Sequence, residues 1–244
     1  MSPAKTSATA ARVIRQLSHD PRSLALLFIV PPALITILKY VFQDAPQTFD
    51  YIAPMLLGIF PLVIMFLVTS IATLRERTSG TLDRLMVTPV AKIDFIFGYA
   101  IAFSLVALIQ ASITCFVMLG LLQVTVLGGT LPALISAVLA AFLGTSIGLF
   151  TSAFANSEFQ AIQFMPAFVF PQLLVCGLFV ARDQMARPLQ WFADIMPLTY
   201  SVDAMKQVTK QSAWTGTLSR DLLVVVGFGI VALVLGSITI RRQE

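Results

Sequence analysis

The sequence predicts an all-α membrane protein with six transmembrane helices and both termini in the cytoplasm. Three observations predict it. First, 57% of the 244 residues are apolar and only 11% are charged, where soluble domains carry about 25% charge. Second, the charges are spaced so that residues 51–74, 95–157, 159–181 and 222–240 contain none. A hydrocarbon core of ~30 Å needs about 20 apolar residues in helical form. Third, the basic residues are lopsided. With the N-terminus inside, Lys5, Arg12, Arg15, Arg22, Arg75, Arg77, Arg84, Lys92, Arg241 and Arg242 face the cytoplasm. Lys39, Arg182, Arg187, Lys206, Lys210 and Arg220 face out, and acids divide equally, so the whole net charge of +4 lies inside. That is the positive-inside pattern, and it points to anionic lipid head groups, not nucleic acid.

Taken in chain order, residues 1–22 form an amphipathic tail. Ala10, Val13, Ile14 and Leu17 recur at i, i+3, i+4, i+7, with Arg12, Arg15 and His19 off that stripe. Such a helix lies in the membrane interface with its basic face toward head groups, either as a lever on the first span or as a plain anchor. Asp20-Pro21 ends it. No secretory signal peptide is expected, because the tail is long and no small-x-small site follows the first apolar run.

The six-span domain covers 23–240. Span one, 23–41, contains Pro31-Pro32 and is expected to kink there, with Lys39 snorkelling toward head groups. Span two, 52–74, holds Pro54 and Pro61 in its outer half. The 63-residue uncharged run divides at 123–132, where Gly128-Gly129 makes a turn, into spans at 95–122 and 131–154. Span five is 161–180, with Pro166 and Pro171, and span six is 222–240. Residues 241–244 are a cytoplasmic tail. Between spans five and six, Leu189, Trp191, Phe192, Ile195, Met196 and Leu198 are too apolar for open water and too interrupted to span. Short external helices at the outer leaflet fit them, with Trp191 at head-group level.

Reactive chemistry is scarce. The single histidine, His19, lies in the tail, which excludes Ser-His catalysis, zinc hydrolysis of the H-E-x-x-H type and a histidine proton relay. There is no P-loop to hold ATP phosphates. Cys115 and Cys176 sit in apolar runs as small hydrophobes. The polar groups at depth are chiefly Gln110, Gln163 and Gln172, which either bond between helices or contact cargo. Phe164 and Phe168, with Phe159, Phe170 and Phe179, either line an apolar route or fill the bundle. In span four, Ser136, Ala140, Gly144, Gly148 and Ser152 recur every four residues, a ridge that lets another helix approach closely. The chain reads as neither an enzyme nor an ion-coupled pump, so the energy for any movement comes from another chain.

The segment after span two reads Arg75-Glu76-Arg77-Thr78-Ser79-Gly80-Thr81-Leu82-Asp83-Arg84-Leu85-Met86-Val87-Thr88-Pro89. A charged turn breaks at Ser79-Gly80. A short helix follows with Leu82, Leu85 and Met86 on one face, and Pro89 ends it. Two turns are not stable alone, so the apolar face needs the bundle or a partner's groove.

This pattern resembles the cytoplasmic signature of type 2 ABC export permeases, the ABC-2 family of drug, polysaccharide and nodulation-factor exporters. Ile147-Gly148-Leu149-Phe150, Asn156 through Ala161, Cys176-Gly177-Leu178-Phe179 and Pro197-Leu198-Thr199-Tyr200 are similar to that family's second half. Cys176 stands where the family usually has serine, and Ala186 where a Leu-Pro pair is usual. The resemblance covers roughly residues 12 to 240. It implies that residues 76–86 form a coupling helix docking on an ATPase, with Arg75, Glu76, Arg77, Gly80, Thr81, Leu82, Asp83, Leu85 and Met86 as the coupling set. It implies two separate ATPase subunits that carry ATP and Mg, no cofactor on this chain, a second permease copy or related permease, and a place in the bacterial cytoplasmic membrane. The cargo is expected to be a hydrophobic or amphipathic drug or lipid. A lipid-linked glycan or haem remains the alternative within transport, and a membrane scaffold the alternative outside it. An open channel would need charged or carbonyl-rich linings, which the uncharged run lacks.

Overall fold

The computed structural model describes residues 3–78 and 92–239. These are helical, with no strand among them: α1 (Pro3–Ser18), α2 (Pro21–Phe28), α3 (Val30–Val41), α4 (Pro46–Thr78), α5 (Lys92–Cys115) continuing as a π-helical segment (Phe116–Leu121), α6 (Thr130–Ser152), α7 (Glu158–Val175), α8 (Arg187–Ile195), α9 (Pro197–Lys210) and α10 (Gly216–Thr239).

Five stretches are long and apolar enough to cross a membrane: Pro21–Val41, Pro46–Thr78, Phe97–Leu121, Thr130–Ser152 and Gly216–Gly236. The fifth expected span, 161–180, corresponds to α7. That helix has 18 residues and reaches ~27 Å at 1.5 Å per residue. Glu158, three glutamines and two prolines leave its composition short of the other five.

Local chemistry sets the boundaries. Asp20 caps α2: its Oδ1 accepts the N–H groups of Arg22 (3.1 Å) and Ser23 (3.2 Å), and the Ser23 hydroxyl donates to Oδ2 at 2.8 Å. Pro21 follows at N1, where its missing N–H costs nothing. The break in the first span falls at Ile29, just ahead of Pro31-Pro32, since prolines are tolerated in the first turn of α3 and not deeper. Ser157 caps α7 by accepting from the Gln160 N–H. At the other end of α7, Gly177 takes a φ of 84°, the left-handed turn that ends a helix.

α4 is the central post. Its span is 72% buried, against 28% for that of α10, and it supplies residues to three apolar clusters that together run the length of the bundle. The ridge predicted on α6 faces α4, and the approach is backbone to backbone. A Cβ on Gly144 would collide with the Leu62 carbonyl, and one on Gly148 would lie 2.6 Å from the Phe66 carbonyl. Small residues thus do at α6 what apolar burial does in water: they gain packing where lipid offers no hydrophobic drive.

Two features go beyond the expectations. The Lys39 Nζ donates to the Leu122 carbonyl at 2.7 Å, satisfying an orphan acceptor just beyond the π-helical segment. The charge-free span six also extends backward. α10 begins at Gly216, so Arg220 and Asp221 lie on its first turns, and Asp221 is 1% exposed. Its carboxylate accepts from Gln207 Nε2 at 2.6 Å and from the Arg220 guanidinium at 2.8 Å. Gln207 Oε1 in turn accepts from Thr215 and Thr217. The network ties α9 to α10, which explains how a buried carboxylate is tolerated.

Candidate functional site

α1 packs its stripe of Ala10, Val13 and Leu17 onto α4 and α5. Gly98 makes the approach possible, since a Cβ there would sit 2.6 Å from the Thr9 Cβ. Arg12, expected on the head-group face, turns inward. Its Nη2 donates to Glu76 Oε2 at 2.8 Å and to the Tyr99 hydroxyl at 3.0 Å. Glu76 is 4% exposed, so the carboxylate is carried in the interior by this cation.

Arg75 points the other way. Its Nε and Nη2 grip Glu158 at 2.7 and 3.1 Å, and Nη1 reaches Asp20 at 3.3 Å. Arg77 donates to the Ser152 carbonyl, the last member of the small-residue ridge. A cation at a helix C-terminus and an acid in a first turn are each the favoured sign for the helix dipole. Three consecutive charges at the end of α4 therefore hold α1, the cap of α2, the end of α6 and the start of α7. Gly80, Thr81, Leu82, Asp83, Leu85 and Met86 lie outside the described residues.

The clamp titrates. The Ser23 hydrogen bonds, aided by Arg75, hold the Asp20 carboxyl below its ordinary range, and the Arg75 hydrogen bond does the same for Glu158. A carboxyl whose folded value is depressed stabilises the fold above its unfolded value and loses that contribution as pH falls through the folded one. Both sites are partly exposed, which keeps the effect small. The melting-temperature gap between the wild type and Arg75→Gln is expected to narrow as pH drops from about 7 through and below the ordinary carboxyl range. A gap that is constant with pH would show that the clamp contributes nothing.

At the opposite end, Pro197, Leu198, Thr199 and Tyr200 build the corner between α8 and α9. Pro197 takes N1 of α9. Met196 has no side-chain acceptor, and Gln172 of α7 replaces it by accepting the Leu198 N–H at 3.2 Å. Thr199 is fully buried. The Tyr200 hydroxyl donates to the Asp194 carbonyl at 2.7 Å, closing the end of α8. Gln172→Leu strands a buried donor, so it is expected to lower stability by about 1–3 kcal/mol. Thermal denaturation of the purified protein checks this.

The residues read as a route do not converge on one wall. Phe168 and Gln172 line an apolar crevice of about 490 Å³ between α6, α7, α10 and the α8–α9 corner, with Phe150, Phe192 and Phe228. The Phe168 ring also packs on Phe66 of α4, centroids 6.5 Å apart. Phe164 packs between the cluster around Leu74 and the one that holds Phe66, without lining the crevice. Gln163 is exposed on α7. Gln110 is buried in α5, its Nε2 3.5 Å from the Thr114 hydroxyl. The Arg12–Glu76–Tyr99 contact and the roles of Asp20 and Glu158 were not read from sequence. Asp20-Pro21 followed by Ser23 is a capping signal that marks the first acid, but no local pattern pairs residues 64 to 87 positions apart.

A helical, multi-span membrane protein with a charged knot at one end and an apolar crevice between its helices has the build of a transport permease. The chain belongs to the ABC-2 type transporter family, which it matches over residues 5–209. It is 26% identical over 159 residues to "ABC transporter G family member 20" of Dictyostelium discoideum, covering 65% of this chain and 22% of that protein. It is 25% identical over 173 residues to "Probable multidrug ABC transporter permease YbhR" of Escherichia coli K12, covering 67% and 47%. It is 24% identical over 168 residues to "Inner membrane transport permease YhhJ" of the same organism, covering 68% and 45%. The chain thus spans less than half the length of these curated relatives.

Proposed function

We propose that the chain is the membrane-spanning permease subunit of an ATP-driven exporter, with six spans and both termini in the cytoplasm. α7 is the fifth of them, and the α1 end of the bundle faces the cytoplasm of a bacterium, at its inner membrane. ATP and Mg act on two separate ATPase subunits, and a second permease, identical or related, completes the path. The observation that carries this reading is the knot at the end of α4, one residue before Ser79-Gly80. A push on residues 79–86 reaches α4 directly. Through Arg75, Glu76 and Arg77 it reaches α1, α2, α6 and α7. In this arrangement Glu76 acts inside the bundle by passing on the motion, and the ATPase surface falls to residues 79–86.

The cargo is hydrophobic or amphipathic, in keeping with a crevice lined almost wholly by apolar groups. A lipid-linked glycan would need several polar contacts, and this crevice offers only Gln172. Covalent chemistry has no place on this chain. The test is co-reconstitution with the ATPase partner in proteoliposomes. Gly80→Pro is expected to leave both proteins assembled and ATP hydrolysis running, while export falls at least tenfold. Wild-type export by that variant would refute the coupling role.

A further inference from the structure

On the far side of α8 from the apolar crevice lies a charged basin of about 470 Å³. Phe192 and Ile195 of α8 face the crevice, while Gln190 and Asp194 of the same helix face the basin. One amphipathic helix therefore partitions an apolar space from a polar one. It is lightly held: of its nine residues only Ala193 is buried. Beyond its covalent ends, its tethers to the basin wall are the Arg182–Asp194 ion pair and the Tyr200 hydrogen bond.

The basin's charges balance only while α8 is in place. Arg182, Lys206 and Lys210 face Asp183, Asp194 and Asp203. Arg182 is shared between Asp194 and Asp203, with the second contact at 2.8 Å. Asp203 is also claimed by Lys206 at 3.2 Å. Lys210 lies over the Tyr51 ring, 5.7 Å from its centroid. If Asp194 leaves with α8, three cations face two acids and Arg182 keeps only the acid that Lys206 already holds. The site then wants one anion, directly beside an apolar crevice whose size falls within the ~300–1,000 Å³ of drug-sized sites.

We propose that the outer end of this chain receives an amphiphile with an anionic head: its apolar tail occupies the crevice, and its head replaces Asp194 on Arg182, within the basin that Lys206 also lines. The proposal rests on the exporter reading for its purpose, and it narrows the cargo from amphipathic to anionic amphipathic. α8 is then the element that yields as cargo passes, and Asp194 is the internal stand-in for the cargo's charge.

The test is equilibrium binding to the purified chain in phosphatidylcholine nanodiscs, with no ATPase present. Its failure therefore leaves the exporter reading standing, and loss of coupling to an ATPase leaves this result standing. The probes share a twelve-carbon tail: dodecyl phosphate and laurate as anions, dodecyltrimethylammonium as the cation, dodecanol as the neutral reference. The anions are expected to bind at least tenfold more tightly than the other two. Arg182→Gln should remove that preference while leaving dodecanol binding unchanged. Asp194→Asn, which removes the competitor and keeps the backbone carbonyl for Tyr200, should strengthen anion binding severalfold. Equal binding of cation and anion, or weaker anion binding by Asp194→Asn, would overturn the proposal. So would full displacement of dodecyl phosphate in phosphatidylglycerol nanodiscs, since the site would then belong to bilayer lipid.

Discussion

Replacing Gly144 by leucine is expected to abolish nearly all recovery of folded protein from the membrane, while the same replacement at Gly227 leaves yield and melting temperature unchanged. The two glycines sit in spanning helices and differ only in their surroundings. A Cβ at Gly144 runs into the Leu62 carbonyl and lies 2.8 Å from the Leu62 Cα, all of it backbone. Neither α4 nor α6 can yield locally, because each is a continuous helix of more than twenty residues. Overpacking ordinarily costs about 1–3 kcal/mol where side chains can move. Here none can, and the total to be spent is on the order of 5–15 kcal/mol. At Gly227 nothing lies within 4 Å. Size-exclusion profiles of the two variants in one detergent decide the matter, and matched profiles would mean that the α4–α6 seam is not a backbone contact.

Arg12→Ala is expected to release α1 from the bundle and to destabilise the protein, by less than the ~3–5 kcal/mol for one partner of a fully buried pair because the Arg12 side chain is a third exposed. The group affected is the Glu76 carboxylate, 64 positions along the chain and 4% exposed, which loses this guanidinium in the interior. Adding Glu76→Gln removes the buried charge, so the double variant should recover most of the lost stability. It should not recover the docking of α1. Limited proteolysis within residues 3–18 reads the docking, and thermal melting reads the stability. A double variant as unstable as Arg12→Ala would show that the pair is not coupled.

Five of the expected spans coincide with helices long and apolar enough to cross a membrane, and these were legible because lipid imposes a simple rule: a helix needs length and absence of charge, and both are visible in composition. The ridge on α6 was legible for a related reason, since a four-residue spacing of small side chains has few uses besides close packing. The start of α10 was not legible. The sequence places Arg220 and Asp221 outside the apolar run, and only the fold shows Gln207 arriving to share the carboxylate. The partner of Lys39 was hidden for the same reason, because sequence cannot see the orphan Leu122 carbonyl beside it.

The charged triplet at 75–77 shows what a motif does and does not tell. Its residues mark the segment, and the resemblance attaches a role to it. Each side chain turns in a different direction, to α1, to α7 and the α2 cap, and to α6. No spacing rule within the motif yields that division. The Pro197–Tyr200 corner is similar: the proline announces a helix start, while the cap comes from Gln172 on another helix.

The most direct test of the account is purification of this chain from a membrane that also holds its ATPase partner, followed by export measured in sealed vesicles. The account predicts that the ATPase copurifies in equal number and that export of an amphiphilic probe stops when the ATPase is made unable to hydrolyse ATP. Export that continues undiminished with the inactive ATPase, or a chain that purifies alone under conditions that preserve membrane complexes, would contradict it.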